Sequence, residues 1–134
     1  MTQLETITAD GVVLAYLFRE LSTPTETRYL TPDACNLQVG HVVYARGTEI
    51  PRHMHLAVDR HLTTTAEVLL VQQGACEVDI FAPDRRLVAT RELHVGDMVI
   101  AVGGGHGFRV LEDTVLLEVK QGPYLGDGID KERF

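Results

Sequence analysis

The chain has too little positive charge to grip a polyanion. Of its 134 residues, 12 are Lys or Arg and 19 are Asp or Glu, giving a formal net charge of -7. No basic run compensates locally. That balance argues against a nucleic-acid backbone or an anionic membrane surface as partner, since both favour clustered cations. Cysteine is scarce as well: Cys35 and Cys76 form no CxxC pair and lie far apart. They read as free thiols in a reducing compartment rather than as a disulfide framework. No segment is long and apolar enough to span a bilayer. The opening MTQLETITADGVVLAYLFRE has no positive leader, sustained apolar core or small-residue cleavage site, so it does not read as a signal peptide. The expected location is cytoplasmic. Internal repeats, low-complexity tracts and helix-period segments are missing too, which leaves an all-β chain.

What is present is a series of short, patterned runs separated by turn residues. The length suits one domain with a sizeable core. Thr6 to Phe18 reads as two strands joined at Asp10-Gly11, a dipeptide suited to a tight hairpin. Residues 20 to 36 read as connection, with a short strand around Thr27 to Leu30. Leu37 to Arg46 alternates like a full strand. Glu67 to Gln73 is apolar on both faces, as in a strand covered on both sides, and such a sheet invites a second subunit. Ala75 to Phe81 alternates cleanly, with Cys76, Val78 and Ile80 inward and Glu77 and Asp79 outward. Pro83-Asp84 turns into Leu87 to Leu93. Gly96-Asp97 turns into Met98 to Val102, a triple glycine follows, and His106 to Leu111 is the next strand. Thr114 to Lys120 is the last, before Gly122-Pro123 and a polar tail. About nine strands with regular turns predict an antiparallel sandwich or barrel.

One stretch, GTEIPRHMHLAVDRHLTTTAEVLLVQQG from Gly47 to Gly74, has a spacing that suggests chemistry. On a strand, His53 and His55 share a face because side chains alternate with period two. Their imidazoles then reach one point. Glu67 on a neighbouring strand supplies a carboxylate, and His106 shares a strand face with Phe108 and Val110.

Gly47, five residues, His53-x-His55, then Glu67, six residues and Gly74 resembles the first motif of the cupin superfamily. Gly96-Asp97 leading to His106 resembles the second. The resemblance spans roughly residues 37 to 120. It implies an all-β fold with a single antiparallel β-barrel of jelly-roll type. That core barrel covers about residues 37–120, with N-terminal strands or an arm over 1–36 and a polar tail over 121–134. It further implies that His53, His55, Glu67 and His106 bind a divalent metal. Imidazole and carboxylate together suit Fe, Mn, Ni, Co or Zn, and four ligands leave open positions on a six-coordinate ion. The departures are a longer gap between His55 and Glu67, Val102 in place of the usual proline, no asparagine in the second motif, and a turn one residue shorter before His106. The long gap makes LAVDRHLTTTA an inserted loop, and His61 within it an extra or substitute ligand.

Other residues carry weaker signals. Arg52 could orient an anionic substrate, although a strand-end arginine more often faces solvent. Tyr44 lines the cup or simply packs. Glu118 and Lys120 share a strand face and would serve as acid and base at the barrel mouth, or as an exposed cross-strand pair. His41 and His94 have nothing placing them near the others. The glycines at 103–105 form no phosphate loop, lacking the following Lys and Ser or Thr. The expected function is a metal-dependent enzyme, a homodimer, acting on a small polar metabolite by isomerisation or epimerisation of a sugar or keto acid. Alternatives are a non-haem iron dioxygenase, a non-catalytic small-molecule-binding cupin, and a metal-free enzyme using histidines as acid and base.

Overall fold

Alternation and turn chemistry set the strands of the computed structural model, which describes residues 4–19 and 23–134. Ten strands follow one another: β1 (Leu4–Ala9), β2 (Val12–Phe18), β3 (Arg28–Tyr29), β4 (Gly40–His41), β5 (Glu67–Gln73), β6 (Ala75–Phe81), β7 (Leu87–His94), β8 (Met98–Ala101), β9 (Gly105–Val110) and β10 (Val115–Lys120). All the sheet pairings are antiparallel. A five-stranded sheet has the order β1-β2-β8-β5-β10, a three-stranded sheet β7-β6-β9, and β3 pairs with β4. These sheets stay open: among the described residues no closed barrel forms. No helix of the described residues is long and apolar enough to cross a membrane.

The turns do what their residues dictate. Asp10 and Gly11 both hold positive φ, 52° and 76°, the pair of left-handed conformations a two-residue hairpin needs. β1 is thus a full strand, registered from Leu4 opposite Phe18 to Ala9 opposite Val12. Gly74 (φ 82°) is the corner at which the chain leaves the large sheet for the small one. A β-carbon there would lie 2.1 Å from the Asp113 carbonyl oxygen.

The core lies between the two larger sheets. Leu14, Ala15, Leu17, Val71 and Val99 from the large sheet meet Cys76, Val78, Ile80 and Leu93 from the small one, all at or below 1% exposure. The inward set expected on β6 is therefore the buried set, while Glu77 and Asp79 lie on the other face beside Arg109. Both cysteines are free, Cys76 buried and Cys35 half-buried, and burial pushes the Cys76 thiol pKa up. Asp97, buried in the turn before β8, accepts hydrogen bonds from the His94 amide and the Arg19 guanidinium, both at 2.9 Å.

One expected strand is a correction. Only Gly40–His41 of residues 37–46 joins a ladder, with Arg28–Tyr29 as its partner. Alternation alone makes no strand where the backbone groups lack a neighbour, and Val42 and Tyr44 stand 52% and 55% exposed. From residue 42 to residue 66 the chain carries no ladder, and every residue from 44 to 65 is exposed.

Candidate functional site

β5 and β9 belong to different sheets, yet their inward faces bring two chemical groups together. Glu67 begins β5 on the face that also carries Leu69 and Val71. His106 lies opposite Ile80 on the core-facing side of β9. Glu67 Oε2 and His106 Nε2 are 3.1 Å apart, with side chains 16% and 28% exposed. Antiparallel register puts Lys120 of β10 directly across from Glu67. Its Nζ lies 3.8 Å from Glu67 Oε1 and 3.4 Å from Glu118 Oε1.

The electrostatics follow from that cluster. Hydrogen bonding by the His106 ring is the main influence holding the Glu67 carboxyl below its usual pKa. Burial opposes the shift, and the positive fields of His106, Lys120 and Lys131 add to it. An ionised carboxylate, an imidazole and an ammonium thus share one wall. Phe108 and Leu116, packed against the core, make its apolar floor. The wall opens into a cleft of about 1350 Å³.

The segment after β10 reaches this cleft, with Tyr124 and Ile129 to Phe134 among its lining residues. Lys120 and Lys131 lie 4.8 and 5.0 Å from the centre of the Tyr124 ring. At the far end Phe134 stacks edge-on against Phe81, 5.1 Å between centroids, and a β-carbon on Gly105 would lie only 2.9 Å from its ring. By its sequence this stretch reads as a polar tail. Its cationic and aromatic residues become site residues only through contacts that no local pattern encodes.

The expected ligands fall into two pairs. Glu67 and His106 converge as described. His53 and His55 stand together on the exposed 42–66 segment, ring centroids 5.4 Å apart. His53 Nδ1 donates to the Pro51 carbonyl at 2.9 Å. The structure does not bring the two pairs together: among the described residues no three His, Cys, Asp or Glu side chains are placed to hold one ion. His61 and Arg52 are exposed on the same segment, and so is Tyr44. Of the acid and base candidates, Glu118 and Lys120 do line the cleft. His41 packs against Phe18, and His94 lies 3.1 Å from Glu92.

Comparison with known proteins finds no matching family model, and no curated protein or solved structure with significant similarity.

Proposed function

We propose that this chain is a cupin-like metalloprotein, an enzyme that isomerises or epimerises a small polar metabolite such as a sugar or keto acid. Its working surface is the wall formed by Glu67, His106, Glu118 and Lys120. The observation that carries the reading is the 3.1 Å approach of Glu67 to His106 across two sheets. A carboxylate and an imidazole from distant stretches of sequence meet over an apolar floor at the edge of a large cleft.

The donor set suits a divalent Fe, Mn, Ni, Co or Zn ion in type and in pairing. Glu67 and His106 would hold it on the cleft wall, and His53 and His55 would complete the set from the 42–66 segment. A segment that long without structure of its own is unusual in a compact domain and is commonly functional. Among the described residues the edge of β9 beside His106 is unpaired, a place where that segment would add a strand and close the jelly roll. When bound, such an ion acts as a Lewis acid toward a substrate oxygen.

The chain's own groups supply the rest. Lys120, held between two carboxylates, keeps an ammonium proton within reach of Glu67 and Glu118. Glu67, held ionised, would be committed to the ion, so the carboxylate left to accept a proton is Glu118. Acid and base on one wall are what a proton shift along a small carbon skeleton requires. Phe108 and Leu116 exclude water from beneath it.

Elemental analysis of protein purified without an affinity tag tests this reading. About one equivalent of transition metal per chain, falling sharply in His106→Ala, supports it. Metal-free protein that takes up no ion on reconstitution overturns it.

A further inference from the structure

The apolar rows on the outer face of the large sheet run to its β10 edge and stop there bare. By register, Tyr16, Ile100, Val68 and Val119 form one row across β2, β8, β5 and β10, and Phe18, Met98, Leu70 and Leu117 form the next. Tyr16, Phe18 and Ile100 are buried, and Met98, Val68 and Leu70 are half-buried. Val119 and Leu117 at the end of the rows are 51% and 45% exposed. At the opposite edge the first row ends instead on the hydroxyl side chain of Thr6. Among the described residues the outer edge of β10 has no neighbouring strand. Free backbone groups beside exposed apolar side chains are a template for another strand, and β10 has no proline to blunt it.

We propose that β10 is a dimer interface, pairing antiparallel with β10 of a second copy of this chain about a two-fold axis at Val119.

The occupant follows from the charges on the strand. Inward-pointing charges usually guard an edge, but Glu118 and Lys120 are opposite in sign and two residues apart on one face. A two-fold axis normal to the sheet sets each residue opposite one of the same face. Centred on Glu118 it opposes two carboxylates, and centred on Lys120 two ammonium groups. Centred on Leu117 it sets Glu118 against the partner's Leu116. Only the Val119 centre, among these four, places Glu118 opposite the partner's Lys120 and repeats that pair by symmetry. It also sets Val119 against the partner's Val119, so the apolar row continues from one sheet into the other. Within one chain Lys120 serves two carboxylates, at 3.8 Å from Glu67 and 3.4 Å from Glu118. In the pair Glu118 gains a cation of its own, and the partner's Lys120 joins each cleft wall. The edge of β9 stays free, and the pairing needs no metal.

Sedimentation velocity of the full chain, kept metal-free with a chelator, tests the interface across a concentration series, and a monomer–dimer equilibrium is expected. Glu118→Lys and Lys120→Glu each oppose like charges and should weaken the dimer by at least about tenfold. Their equimolar mixture restores both pairs and should dimerise as tightly as the wild type. Val119→Cys, a neutral change at an exposed position, tests the register. Under oxidised glutathione it should form an interchain disulfide that the wild type, with Cys35 and Cys76, does not. Leu117→Cys, opposite the partner's Gln121, should cross-link at least about tenfold more slowly. Monomer at every concentration, a dimer that the charge variants leave intact, a mixture no tighter than its components, or equal cross-linking from 117 and 119 overturns the proposal. Metal content enters none of these outcomes, so the elemental analysis judges the metal reading by itself.

Discussion

Glu67 and His106 sit 3.1 Å apart although 38 intervening residues and a change of sheet separate them. Such a meeting is a tertiary product: β5 and β9 each bury an apolar stripe in one core, and the polar residue at the end of each stripe is carried along. Neither residue is a core packing element, so either can be replaced without collapse.

The first prediction follows. His53→Ala and His106→Ala should each lower affinity for a divalent ion by at least about tenfold, because each removes a donor outright. Glu67→Gln should weaken it less, since the amide oxygen still coordinates. Far-ultraviolet circular dichroism should be unchanged in all three, and metal content by mass spectrometry decides the order.

Two glycines at positive φ separate backbone strain from close approach. Gly47 (φ 85°) has open space around its missing β-carbon, whereas Gly74 (φ 82°) has the Asp113 carbonyl oxygen at 2.1 Å. Gly47→Ala should therefore cost only about 1 kcal/mol, the conformational penalty alone. Gly74→Ala must also displace the turn joining β9 to β10, and should cost about 3 kcal/mol or more. Urea midpoints of the two variants measure the difference.

Much of this architecture was legible where a run of residues carried both its pattern and its stops. β5 and β6 occupy the stretches their alternation and Gly74 define, and the β1–β2 hairpin follows from Asp10-Gly11. The 37–46 run shows the opposite case. It alternates as well as β6 does, but a strand needs a neighbour, and only two of its residues have one. In the site, His106 and Glu67 were legible as chemistry because turn and strand signals placed both on apolar faces. Lys131 and Tyr124 were not. Their role depends on a loop crossing the cleft, and a polar segment with several glycines reads the same wherever it lies.

Acid should unfold the protein through a small set of carboxylates. Glu5, Glu67 and Asp79 all have folded pKa values lowered from the ordinary 4.5 for Glu and 3.8 for Asp, mainly by hydrogen bonds to Arg91, His106 and Arg109 respectively. A group depressed in the folded state adds stability that is complete above its unfolded value and is lost as pH falls through the folded one. The urea midpoint of metal-free protein should thus decline below about pH 5, with little loss from these groups above it. Glu67→Gln removes one contributor, so its decline should be shallower than the wild type's. Parallel slopes would show that the His106 contact does not hold the carboxyl down.

Asp97 gives a buried carboxylate whose role is structural. It is 7% exposed, and the same Oδ2 accepts both the His94 amide and Arg19 Nη1. The Gly96 amide and the Asp97 carbonyl bind the two backbone groups of Val71, so this turn fastens β8 beside β5. Asp97→Ala strands the His94 amide and takes the carboxylate from Arg19, which keeps the Glu92 carbonyl. The expected loss is about 2–4 kcal/mol in urea unfolding. Asp97→Asn preserves an acceptor and loses the charge, so it should fall between. Because the turn's backbone bonds go to Val71, at the opposite end of β5 from Glu67, the folded Asp97→Asn protein should bind metal as the wild type does. That outcome separates it from His106→Ala, in which metal should be lost and stability should fall only by the contribution of the Glu67 contact.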